Sequence, residues 1–96
     1  GSIAAAFSKL GGSVIYFGKP YPEIYNFCMK NKENILAIGD NIRTDIKGAN
    51  QMNFDSLFIT DGIHRKEFLN LASEQYDTVL AKYNTKTNYY QERLSW

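Results

Sequence analysis

The chain has almost nothing to cross-link with. Its 96 residues include one cysteine, Cys28, so no internal disulfide can form. That composition fits a reducing compartment, and a cytoplasmic location is expected. No apolar stretch approaches the roughly 20 residues that cross a bilayer, so neither a membrane span nor a membrane partner is expected. The opening "GSIAAAFSKLGG" has an apolar piece but lacks the basic leader of a signal peptide. Charge of one sign is also missing. Eleven Lys+Arg stand against ten Asp+Glu, for a formal net charge of +1, and the longest basic run is Arg65-Lys66. Nothing there suggests the basic footprint of a nucleic-acid-binding surface, and no nucleic-acid partner is expected.

The composition is that of a globular protein, 44% hydrophobic and 22% charged, at a length that makes one small domain. Residues 3–10 place Ile3, Phe7 and Leu10 at helical spacing before Gly11-Gly12 stops the helix. "SVIYF" (13–17), "ILAIG" (35–39) and "SLFIT" (56–60) are strand candidates. The second is apolar on successive residues without alternation, the pattern of a parallel strand buried on both faces. Between the first two, Pro22 and Glu23 suit the start of a helix with Ile24, Phe27 and Cys28 on one face. Thr44 to Met52 predicts a helix with Ile46 and Ala49 inward. Glu67 to Tyr76 predicts another, with Phe68, Leu71, Ala72 and Gln75 or Tyr76 as its stripe. "DTVLAKYN" suits either a helix or a strand, and "TNYYQERLSW" has room for a short final strand. Strand starts near 14, 35 and 56, 21 residues apart with a helix in each gap, imply right-handed parallel crossovers. The expected fold class is α/β: a three-layer, Rossmann-like parallel sheet with flanking helices.

Ligands of open parallel sheets sit beyond the carboxyl ends of the strands. Gly18-Lys19 follows the first strand and Gly39-Asp40 follows the second, so both charged residues fall on that edge. A lysine there supplies a point charge for phosphate, and a carboxylate on a strand tip suits Mg²⁺. Asp45 falls in the first turn of the following helix, where it can reach back to fix the loop or a metal-bound water. The plain alternative for Asp45 is a first-turn carboxylate favoured by the helix dipole by about 0.3–1 kcal/mol, and both roles are compatible. Asn41 reads as the helix N-cap. Cys28 reads as a core residue, and His64 fits no ligand or base pattern.

"GKPYPEIY" followed by "ILAIGDNIRTDIKGA" resembles the haloacid dehalogenase superfamily, in particular its subclass IIA of sugar-phosphate and nucleotide phosphatases. The continuation "SLFITDGIHRKEF" resembles the strand and helix that follow in that subclass. The resemblance implies that Lys19 holds the nucleophile and the transferred phosphoryl group, that Asp40 binds Mg²⁺, and that Asp45 is the second carboxylate supporting the site. It further implies a phosphorylated small molecule as substrate.

The family's chemistry begins with an Asp-x-Asp motif, one aspartate attacking phosphorus and the other serving as acid and base. The five aspartates here are 40, 45, 55, 61 and 77, and no two are separated by one residue. "LFITDG" (57–62) resembles a nucleophile strand only superficially, since it has one Asp and follows the metal motif. Residues 1–96 are therefore expected to be the C-terminal part of a family core domain, without cap or nucleophile. By themselves they are expected to be inactive and to bind Mg²⁺ weakly or not at all. In that subclass the nucleophile strand pairs close to "ILAIG", so without it an apolar parallel strand is expected to lack a neighbour, and the chain is expected either to self-associate or to need an N-terminal half carrying Asp-x-Asp. The rival reading is a non-catalytic split-protein or self-association module on the same fold. A receiver-like or flavodoxin-like domain fits less well, for want of an early acidic pair and a phosphate loop.

Overall fold

A computed structural model describes residues 2–16 and 34–94. Helix α1 (Ile3–Lys9) precedes strand β1 (Ser13–Tyr16), and β2 (Ile35–Gly39) runs into a π-helical turn (Ile42–Ile46) that continues as α2 (Lys47–Met52). After β3 (Asp55–Ile59) come α3 (Arg65–Phe68), a 3₁₀ turn (Ser73–Gln75), α4 (Tyr76–Lys82) and β4 (Tyr89–Gln91). The four strands form one parallel sheet in the order β1-β2-β3-β4. The α/β, Rossmann-like class expected from the sequence is the observed one, and the three long strand candidates and the short final one are all present. Among the described residues no helix is long and apolar enough to cross a membrane.

Register explains the layers. Residues paired across parallel strands face the same side, so Ile15 and Ala37 point one way while Val14, Leu36 and Ile38 point the other. The first set packs with Ala49 and Phe54 from the α2 segment. The second packs with Ala4, Ile3 and Phe7 of α1 and with Leu57 of β3. A further cluster on the α2 side joins Ile42, Ile46, Phe58, Phe68 and Leu80. Strand β2 is thus covered on both faces, as its unbroken apolar run required; Leu36 is fully buried.

Three expectations need correction. Leu10 is 87% exposed: the helix ends at Lys9, and the stripe that packs is Ile3, Ala4 and Phe7. The helix expected over Glu67–Tyr76 is broken. Leu69 turns extended and Asn70 takes a left-handed φ of 65°, so a second helix starts only at Tyr76. Phe68, Leu71 and Tyr76 still pack inward, whereas Ala72 and Gln75 are exposed. The third correction concerns the sheet edge. Strand β2, expected to lack a neighbour in these 96 residues, is paired on both sides, and among the described residues the edges are β1 and β4. The segment "DTVLAKYN" resolves as helix α4. Its C-terminal end is closed by Thr85, whose N–H and hydroxyl both donate to the Leu80 carbonyl.

Two asparagines and a serine fasten β4. Asn50 donates to the Lys86 carbonyl (2.8 Å) and accepts from its N–H (2.9 Å). Asn88 accepts from the Ser56 N–H (2.8 Å), and the Ser56 and Thr87 hydroxyls lie 2.6 Å apart. These side chains replace the regular ladder where β4 enters the sheet.

Candidate active site at the carboxyl edge of the sheet

Strand β2 delivers Asp40 one residue beyond its last paired position, and the chain then enters the π-helical turn. The first four N–H groups of a helix have no partner inside it. Here side chains satisfy all of them. Asn41 N–H donates to Asp45 Oδ2 (3.1 Å), Ile42 N–H to His64 Nε2 (3.1 Å), and Arg43 and Thr44 N–H both to Asn41 Oδ1 (3.0 and 3.3 Å). Asn41 is therefore the N-cap, as its residue type predicted. The widening follows from Ile46 N–H reaching back five residues to the Asn41 carbonyl (3.2 Å), while Asp45 N–H shares that acceptor (2.8 Å).

Asp45 is buried, and its carboxylate looks back at the loop. Besides Asn41 N–H, it accepts from the Thr44 hydroxyl (3.3 Å). The approach is so close that a Cβ on Gly39 would overlap Asp45 Cβ and Oδ2, so only glycine fits at position 39 without a shift. Asp40 is set in the same manner from the other side, since a Cβ on Gly62 would overlap Asp40 Cβ and Oδ2. Two glycines at the ends of neighbouring strands thus make room for two carboxylates.

Asp40 and Asp45 both line a cavity of about 260 Å³ whose remaining walls are Tyr16, Ile38, Gly39, Ile59 and Leu94. Asp40 is half-buried, and among the described residues its carboxylate has neither a hydrogen-bond donor nor an ion-pair partner. Two carboxylates lining one pocket, with no cation beside them among the described residues, are groups that could hold one. The set is sparse, however. Among the described residues no group of three or more His, Cys, Asp or Glu converges on one point. Lys19 and the Gly-Lys-Pro segment lie outside the described residues, as do Cys28 and the helix expected after Pro22.

Asp61, one strand over, does not join the site. It pairs with Arg65 Nε at 3.3 Å and Arg93 Nε at 3.0 Å. The bond to Asp61 holds the Arg93 guanidinium above its ordinary value. The "LFITDG" aspartate is thus committed to two arginines.

Sequence reasoning missed His64. The residue is buried, 7% exposed, at the start of α3, and its ring bridges the loop after β3 to the loop after β2. Its Nδ1 lies 2.7 Å from Glu67 Oε1, and the Tyr83 hydroxyl donates to Glu67 Oε2 at 2.6 Å. The bonds from His64 and then Tyr83 hold the Glu67 carboxyl below its usual range, and the bond to Glu67 pushes the Tyr83 phenol up. The local signal was His-x-x-Glu, a spacing that brings the two side chains together on a helical turn. The Ile42 partner, 22 residues upstream, had no local signal.

A parallel α/β sheet with an acidic site at the carboxyl edge of its second strand defines the class. Within it, the chain belongs to the HAD-hydrolase-like family, whose model matches residues 16–85. The resemblance read from the sequence is therefore borne out. Over 68 residues the chain is 31% identical to the ribonucleotide monophosphatase NagD of Escherichia coli strain K12, an alignment covering 66% of this chain and 27% of that protein. The NagD of Escherichia coli O157:H7 matches with the same figures. The chain spans about a quarter of the length of these curated relatives. No solved structure matches it.

Proposed function

We propose that this chain is the metal- and phosphate-binding C-terminal part of a phosphohydrolase core that cleaves phosphate monoesters. One observation carries the reading. Asp40 is a half-buried carboxylate without a protein donor among the described residues, mounted on a turn whose free N–H groups are all consumed. Such a turn offers nothing to an anion directly and holds one carboxylate still, which suits a hard cation. Mg²⁺ bound there would offset the charge of the phosphate and of an anionic nucleophile. Asp40 is the direct ligand in this reading, and Asp45 keeps Asn41, and with it Asp40, in place. Lys19 supplies a positive charge to the phosphoryl group. The substrate class in this reading follows from the similarity to NagD, a ribonucleotide monophosphatase.

The nucleophile has to come from an Asp-x-Asp segment, which these 96 residues do not contain. The test is an assay of the purified chain with an aryl phosphate and Mg²⁺, alone and then joined to an N-terminal segment bearing Asp-x-Asp. No turnover alone and turnover in the joined protein, lost in Asp40→Asn, is expected. Turnover by the chain alone that Asp40→Asn abolishes would show that the nucleophile lies within it and overturn the reading.

A further inference from the structure

We infer that His64 is a positioning residue for the Asp40 turn, acting as a neutral imidazole whose bare Nε2 holds the Ile42 N–H. The inference rests on the metal reading of Asp40 only for its consequence, since the bond itself exists without a metal. A backbone N–H can only donate, so His64 Nε2 must be the acceptor of the 3.1 Å bond from Ile42. The ring proton therefore sits on Nδ1 and is donated to Glu67 Oε1 at 2.7 Å. Glu67 is fixed in turn by the Tyr83 hydroxyl at 2.6 Å. The chain of donors runs one way: Ile42 N–H to His64, His64 to Glu67, and Tyr83 to Glu67. No other arrangement of protons satisfies the Ile42 amide.

The ring is also gripped from the sides. Tyr83 of α4 meets it edge-on with centroids 5.5 Å apart, and Phe58 of β3 lies 6.2 Å away, tilted. Arg43, the cation from the turn itself, stacks over Tyr83 at 5.4 Å and so adds positive charge to the same cluster. Three elements thus converge on the residue two positions after Asp40. The contact joins the β2 loop to the β3 loop, as does the seat of Asp40 against Gly62. Of the hydrogen bonds that brace the turn among the described residues, those of Asn41 and Asp45 are local, whereas that of His64 ties it to another strand's loop. Outer partners that hold a metal ligand typically change metal affinity by about 10–100-fold when removed. Protonation of Nε2 would set N–H against N–H and release the Ile42 amide.

Two substitutions separate the two ends of the imidazole. His64→Asn keeps an amide group near Nδ1 for Glu67 but has nothing at the Nε2 position. His64→Gln places an amide oxygen near Nε2 and gives up the Nδ1 contact. Amide hydrogen exchange at Ile42, followed by NMR, should speed up about 10-fold or more in His64→Asn and return most of the way in His64→Gln. Mn²⁺ affinity should fall by about 10-fold or more in His64→Asn and recover in His64→Gln. Wild-type protection at Ile42 in folded His64→Asn, or failure of folded His64→Gln to restore it, overturns the inference. Should either variant not fold, ¹⁵N shifts of the wild-type ring decide, since a proton on Nε2 at neutral pH contradicts the inference outright. Absence of Mn²⁺ binding in every form would instead count against the metal reading, while exchange and tautomer still judge His64.

Discussion

Asp40 and Asp45 stand five positions apart on one turn, and the structure gives them different surroundings. Asp45 accepts from the Asn41 N–H and the Thr44 hydroxyl, and Asp40 meets no protein donor among the described residues. The glycines opposite them are the sharpest test of that packing. In Gly39→Ala the new methyl would overlap Asp45 Cβ, an atom fixed by its helix. Overpacking of this kind typically costs about 1–3 kcal/mol, which urea denaturation would register as a lower midpoint at constant slope. Asp45→Ala leaves the Asn41 N–H without its acceptor, and about 1–3 kcal/mol is again expected. The positions of both carboxylates were legible in the sequence, because Asp40 directly follows strand and glycine and Asp45 falls in the first turn of the helix that comes next. Asn41 was legible as a cap for the same reason. His64 was not, because its partner Ile42 is a backbone amide brought close only by the neighbouring strand.

At the scale of elements, strands were easier to read than helices. β2 and β3 are short apolar runs between polar breaks, and such runs survive any local competition once a sheet forms. The helix expected over 67–76 failed at Leu69-Asn70, where an apolar stripe at helical spacing hid a left-handed break. Every described non-glycine residue with positive φ is an asparagine: Asn34, Asn53, Asn70 and Asn84. Asparagine visits this region more readily than other side chains do. Asn53, with φ 60°, ends α2 and starts the approach to β3. Asn53→Ala should cost about 1–2 kcal/mol and Asn53→Gly far less, as thermal melts would show. β4 and α4 are joined through Tyr90, which donates to Asp77 and packs on Phe58 and Tyr76. Burial first, and then the bond to Asp77, raise its phenol well above the usual 10.0. A raised value means that the folded state keeps the neutral phenol while the unfolded chain ionises. The contribution to stability is therefore full below the unfolded value of about 10 and is lost as pH rises toward the folded one. Wild type should lose stability more steeply than Tyr90→Phe in melts above that pH.

At the scale of the whole molecule, four parallel strands with helical cover make a thin core. A domain's net stability is only about 5–15 kcal/mol. Among the described residues β1 and β4 are the outer strands of the sheet, and edges of a parallel sheet invite pairing. Leu10, Ile63 and Leu69 add exposed apolar surface. We therefore predict concentration-dependent association, seen by analytical ultracentrifugation as a rising mean mass; a monomer whose melt is independent of concentration would contradict it. The proposed divalent-cation site at the carboxyl edge of β2, built on Asp40, can be tested on its own. Mn²⁺ broadens amide signals near its binding point, so titrating it into ¹⁵N-labelled chain locates the site directly. Broadening centred on Gly39, Asp40, Asn41 and Gly62, and abolished by Asp40→Asn, is the predicted result. Broadening centred on another acidic region, or unchanged in Asp40→Asn, would contradict the account.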